Sequence, residues 1–110
     1  MSISARTKIC MVIGHPIAHS LSPQMHNAGY KALSLEDDFV YVACDVPPEH
    51  IPDFMSGIRA MGIRGVSCTL PHKLEVIPHL DQIDPVAKKI GAVNTIVNEK
   101  GKLMGYKLPP

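Results

Sequence analysis

The stretch Lys8 to Gly14, K-I-C-M-V-I-G, is apolar at every interior position and stops at a glycine. Strict alternation would mark a strand with one wet face. A continuous run marks a strand covered on both faces, as in a parallel sheet flanked by helices. Asp38 to Cys44, D-F-V-Y-V-A-C, and Arg64 to Thr69, R-G-V-S-C-T, are further strand candidates. Two helical patterns separate the three runs. In the first, Met25, Ala28, Gly29, Ala32 and Leu33 share a face. In the second, Ile51, Phe54, Met55, Ile58 and Met61 do so, and Gly62 closes the helix. Strand, helix, strand, helix, strand implies right-handed crossovers and a largely parallel sheet.

Beyond Thr69 the elements shorten. Pro71 is placed to open a brief helix that Pro78 ends. Asp84-Pro85 reads as an N-cap followed by proline at the first helical position, with Gly91 as the stop. Ala92 to Val97 and Lys102 to Tyr106 flank Asn98-Glu99-Lys100-Gly101, a good hairpin turn.

A chain of 110 residues is the size of one ordinary domain, and 45% hydrophobic residues give it enough apolar mass for a core. With no Trp and only Phe39 and Phe54, that core is mostly aliphatic. The net charge is +1 and the cations are scattered, Lys88-Lys89 being the longest run. Such a distribution gives no electrostatic footprint for nucleic acid or an anionic membrane. Cys10, Cys44 and Cys68 lie inside apolar runs, with no C-x-x-C pair, so buried free thiols in a reducing compartment are expected. Met1 to Lys8 lacks the apolar stretch of a signal peptide, and no window is long enough to span a bilayer. A soluble, cytoplasmic protein is expected.

Three segments carry residues suited to chemistry. His19-Ser20-Leu21-Ser22-Pro23 follows the first strand, at the sheet edge where ligands gather in open α/β folds. Ser22 is placed to cap the helix that Pro23 starts. Two hydroxyls beside a helix N-terminus suit a carboxylate, which only accepts hydrogen bonds. The plain alternative is an ordinary N-cap. Thr69-Leu70-Pro71-His72-Lys73 leaves the third strand at the same edge. There Thr69 offers a hydroxyl, and Lys73 a cation able to exchange a proton with a substrate hydroxyl. Most lysines are merely solvated. In Gly91-Ala92-Val93-Asn94-Thr95, Asn94 is an amide in a buried-looking strand, to be satisfied by a ligand or by a neighbouring loop. His15, His19 and His26 lack metal-ligand spacing, and no metal site is expected. Neither G-x-G-x-x-G nor G-x-x-x-x-G-K-[ST] occurs, so no nucleotide loop of either kind is encoded.

Together, and in this order, Gly14 to Pro23 with His26-Asn27, Cys68 to Lys73, and Gly91 to Thr95 resemble the N-terminal, substrate-binding domain of shikimate dehydrogenases. The resemblance runs from about Ile9 to Tyr106. It implies a single open three-layer α/β domain over residues 1–106: a mostly parallel mixed sheet of about six strands with helices on both faces. It implies NADP-dependent reduction of the 3-dehydroshikimate ketone to shikimate, a step toward the aromatic amino acids. Ser20 and Ser22 would hold the substrate carboxylate, Thr69, Lys73 and Asn94 would contact the ring hydroxyls, and Lys73 would transfer the proton.

The sequence departs from the family pattern twice. Ser67 stands where the family usually has Asn. After Gly105-Tyr106 the family continues Asn-Thr-Asp, whose Asp pairs with the lysine, whereas Lys107, Leu108 and Pro109 stand here. Lys107 to Pro110 therefore reads as an appended tail, and the C-terminal NADP-binding Rossmann domain is expected to be absent. The 110-residue chain is expected to bind no cofactor and to be inactive alone. A stand-alone shikimate-like binding or regulatory module is the rival reading. The missing partner domain would leave apolar surface for a homodimer.

Overall fold

The computed structural model describes residues 3–109. Met1, Ser2 and Pro110, the last residue of the expected tail, lie outside them. The element order is β1 (Lys8–Gly14), α1 (Ser22–Ala32), β2 (Phe39–Asp45), α2 (Ile51–Met61), β3 (Gly65–Cys68), β4 (Gln82–Ile83), α3 (Pro85–Ile90), β5 (Thr95–Glu99) and β6 (Lys102–Tyr106). The six strands form one mixed sheet in the order β2-β1-β3-β5-β6-β4. β1 is parallel to β2 and β3, β5 runs antiparallel to β3 and β6, and β4 is parallel to β6.

The continuous apolar run of β1 is explained by the two cores it serves. Met11 and Ile13 point to one face, where they join Ile51, Met55 and Ile58 of α2, Val66 of β3, Ala87 of α3 and Ile96 of β5. Val12 points to the other, with Ile17 and Tyr41, and Cys10 and Tyr30 pack against that group. α2 buries Ile51, Met55 and Ile58, each contributing about 2 kcal/mol by the area it removes from water. Met61, expected on the same face, lies in the last turn and is 71% exposed, at the rim of a small gap it shares with Met11, Cys44 and Phe54. Gly62 then ends α2 in the left-handed conformation, φ 67°.

α1 corrects its expected face. Met25, Ala28, Gly29, Ala32 and Leu33 all point to solvent, and Pro23, Asn27 and Tyr30 turn toward the sheet instead. Asn27 sets this rotation. Its Nδ2 donates to the Tyr41 carbonyl at 2.8 Å, and its Oδ1 accepts from the Tyr41 N–H at 2.9 Å. Two hydrogen bonds to the open edge of β2 outweigh a thin apolar stripe on a helix that has only one layer to pack against.

The segment after Thr69 also differs from expectation. Leu70–Pro71 is a cis bond, as is His15–Pro16, and residues 70–76 make successive turns rather than a helix. A single 3-10 turn follows at Ile77–His79, with Pro78 inside it rather than ending it. Asp84 caps α3 as expected, accepting from the Val86 N–H at 3.1 Å, and Gly91 closes it at φ 83°. The hairpin turn is tighter than expected. Asn98 and Glu99 belong to β5, and only Lys100 and Gly101 turn, both at positive φ. The three cysteines are free, yet only Cys68 is buried; Cys10 and Cys44 are half-buried. Among the described residues no helix is long and apolar enough to cross a membrane.

Candidate functional site

The loops that leave β1 and β3 meet at the C-terminal edge of the parallel strands. Gly14 makes the approach possible. A Cβ there would lie 2.6 Å from Thr69 Cγ2 and 3.0 Å from the Leu70 carbonyl oxygen. The contact is tied by the His15 N–H donating to the Leu70 carbonyl at 3.2 Å and the Thr69 N–H donating to the Ile13 carbonyl at 3.0 Å. Together the loops enclose a cleft of about 310 Å³ lined by Val12, Pro16, Ile17, His19, Ser20, Ser22 and Thr69. The expected hydroxyls of Ser20, Ser22 and Thr69 therefore converge, on an apolar floor of Val12 and Ile17.

The local hydrogen bonding at Ser22 is not the expected cap. Leu21 occupies the N-cap position with no side-chain cap, and Ser22 opens α1. Ser20 Oγ instead accepts from the Ser22 N–H at 3.2 Å. The Ser22 hydroxyl is thus left for other partners, beside the positive end of α1.

Lys73 and Asn94 do not line this cleft. Lys73 is half-buried on the loop after β3, and its carbonyl accepts from the Val93 N–H at 3.1 Å. Its neighbour His72 is fully buried, with Nε2 donating to the Val46 carbonyl at 2.6 Å, which pins the loop to the end of β2. Burial pushes the Cys68 thiol up to about 12, against the opposing pull of the Lys73 charge.

Asn94 adopts the plainer of its expected roles. Its Nδ2 donates to the Leu108 carbonyl at 3.0 Å, and its Oδ1 accepts from the Leu108 N–H at 2.9 Å and from Thr95 Oγ1 at 3.1 Å. The tail residue Leu108 is thereby tied to the segment before β5, and one amide hydrogen of Asn94 remains for a ligand.

Three features went unread in the sequence. Tyr41 Oη donates to Ser67 Oγ at 2.9 Å, on the same face of the sheet as Val12. His26 stacks on the Tyr41 ring at 3.9 Å between centroids. His15 Nδ1 and Asp45 Oδ1 lie 2.6 Å apart at the ends of β1 and β2. Only the first carried a signal: a tyrosine in a buried strand needs a partner for its hydroxyl. Among the described residues no group of three or more potential metal ligands occurs.

Comparison with known proteins agrees with this geometry. The family model of the shikimate dehydrogenase substrate binding domain matches residues 12–96. The shikimate dehydrogenase (NADP(+)) of Methanocaldococcus jannaschii is 51% identical over 104 residues, covering 94% of this chain and 36% of that protein. The enzyme of the same name from Citrifermentans bemidjiense is 48% identical over 106 residues, 96% of this chain and 36% of that protein. The crystal structure of shikimate 5-dehydrogenase from Listeria monocytogenes, in complex with shikimate and NAD, superposes with a TM-score of 0.90 at 40% identity, over 96% of this chain and 36% of that one. This chain spans little more than a third of the length of these relatives. The matched model covers both loops of the cleft, and the chain belongs to the shikimate dehydrogenase substrate-binding domain family.

Proposed function

We propose that the chain is the substrate-binding part of an NADP-dependent shikimate dehydrogenase, reducing 3-dehydroshikimate to shikimate in a longer protein. The convergence of Ser20, Ser22 and Thr69 on one apolar-floored cleft carries this reading. A carboxylate accepts hydrogen bonds only, and two serine hydroxyls at the positive end of a helix are neutral donors that bind it without closing an ion pair. Val12 and Ile17 supply an apolar surface for a carbocyclic ring.

Lys73 is the proton-transfer residue, and Thr69 and the free amide hydrogen of Asn94 take the ring hydroxyls. NADP supplies and accepts hydride when bound. No loop at the C-terminal sheet edge carries the glycine-rich turn that cradles a pyrophosphate. On this reading the cofactor is held by residues outside these 110. On the same reading the 110 residues alone bind shikimate weakly and turn nothing over, the protein works in the cytoplasm, and a homodimer is compatible with it.

Titration of the isotope-labelled chain with shikimate tests the reading. The amides of Ser20, Ser22 and Thr69 should shift, and Ser20→Ala should weaken binding about tenfold, the loss of one hydrogen bond to a charged group. Unmoved amides at millimolar shikimate would refute the carboxylate assignment. NADPH oxidation with 3-dehydroshikimate checks the second claim, and measurable turnover by the 110-residue chain would overturn it.

A further inference from the structure

A second cavity lies at the other end of the sheet. It has a volume of about 490 Å³ and is lined by Lys8, Arg59, Arg64 and Lys100, with Met61, Gly62, Asn98 and Gly101 among the rest. These cations come from the start of β1, the end of α2, the residue before β3 and the β5–β6 turn, so their clustering is invisible along the chain. No carboxylate lines the cavity. A smaller depression beside it shares Arg64, Asn98 and Lys100 and adds Lys102 and Glu99. Lys8 and Gly14 are the two ends of β1, which a strand's rise puts about 20 Å apart. The cavity is therefore remote from the Ser20 cleft.

The cations differ in what holds them. Arg59 is built into the fold: its guanidinium donates to Asp81 at 2.6 Å, the Gly101 carbonyl at 2.6 Å and the His79 carbonyl at 2.7 Å. It also serves the negative end of α2. Among the described residues, no hydrogen bond or ion pair reaches the side chains of Lys8, Arg64 or Lys100. Their backbones are nonetheless rigid. The Lys8 N–H donates to the Asp38 carbonyl at 2.8 Å, and the Arg64 N–H donates to the Ile9 carbonyl at 2.8 Å. The turn bearing Lys100 is held by buried Asn98, whose Oδ1 accepts from the Gly101 N–H at 3.0 Å and whose Nδ2 donates to the Ile58 carbonyl at 3.0 Å.

Lys100 supplies a second observation. It sits at φ 53°, in the left-handed region where glycine or asparagine is at ease and a lysine is strained. The two-residue turn imposes this conformation, and a lysine there, at the rim of a cavity already holding like charges, opposes local stability twice over. We propose that this cavity binds a small multivalent oxyanion, a diphosphate-bearing metabolite, at a site separate from the cleft. The guanidinium of Arg64 fits two phosphate oxygens as a fork, and the ammonium groups of Lys8 and Lys100 neutralise the remaining charge.

The test is a titration of the isotope-labelled chain with sodium pyrophosphate at constant ionic strength. The Arg64, Lys100 and Gly101 amides should shift and saturate while Ser20 and Thr69 stay still. Arg64→Ala should weaken binding about tenfold, the loss of one charge-assisted contact. Lys100→Gly relieves the left-handed backbone, so it should melt no lower than the parent and still lose affinity. Three results would each overturn the proposal: shifts that sodium chloride reproduces, affinity unchanged in both variants, or tighter binding of a short DNA duplex than of pyrophosphate.

Discussion

Tyr41 on β2 reaches across β1 to donate its hydroxyl to Ser67 on β3 at 2.9 Å. The bond crosses β1 on the same face as Val12, which lines the cleft and pairs in register with both strands, opposite Ala43 on one side and Ser67 on the other. Burial pushes the Tyr41 phenol above its ordinary range and keeps it a donor. Tyr41→Phe should cost about 1 kcal/mol, the net value of one hydrogen bond plus the partner left behind. In a double-mutant cycle with Ser67→Ala, the combined loss should fall short of the sum of the two single losses. Urea melts of the four proteins measure this, and full additivity would mean that the bond contributes nothing.

The Gly14 contact with Thr69 predicts a larger effect. A methyl at position 14 meets Thr69 Cγ2 at 2.6 Å, Ile17 Cδ1 at 3.0 Å and the Leu70 carbonyl at 3.0 Å, so side chains and backbone must give way together. Gly14→Ala should destabilise the fold by about 2 kcal/mol, within the range for overpacking. It should also separate the loops that bring Ser20 and Thr69 to one cleft. A lower urea midpoint, with amide shifts confined to residues 12–22 and 67–73, is the expected result.

Acid stability rests in part on Asp81. The Leu103 N–H, donating at 2.7 Å, and the Arg59 guanidinium hold its carboxyl below the ordinary range. A carboxyl lowered on folding stabilises the native state above its unfolded pKa of about 3.9, and that contribution is lost as the pH falls through the lower, folded value. Asp81→Asn should therefore lower Tm at neutral pH and converge on the parent under strongly acidic conditions. Melting curves across the acid range decide this; a constant gap at every pH would remove the charge from the explanation.

The sequence made some of this structure legible and hid the rest for identifiable reasons. β1, α2 and the caps at Asp84 and Gly91 announce themselves because each is decided locally, by unbroken apolarity, a 3.6-residue period, or the chemistry of a turn. Ser20, Ser22 and Thr69 could be paired because loops after parallel strands share an edge. The face of α1 was misread because Asn27, a polar residue outside the apolar stripe, sets its rotation. Asn94 could not be decided from sequence, since part of its amide is engaged by Leu108, a contact across 14 residues. The cluster of Lys8, Arg64 and Lys100 was hidden because sheet topology, and not chain proximity, assembles it.

Asn27 is the remaining test of how the fold guards its open side. β2 is an edge strand, and an uncovered edge is a template for pairing with another chain. At Tyr41 both backbone groups are filled by the Asn27 amide, which imitates a neighbouring strand. Asn27→Ala removes that imitation, leaves the Tyr41 N–H and carbonyl to water or to another edge, and frees α1 to rotate. The loss of two hydrogen bonds should cost about 2 kcal/mol. The same change should raise self-association, because it opens a strand edge on a chain that already exposes Met25 and Leu33, 69% and 71% exposed in and just after α1. Sedimentation velocity at rising concentration measures the second effect separately from the first. A variant that melts lower yet sediments as the parent does would assign Asn27 to stability alone; one that also assembles establishes it as the edge's cover.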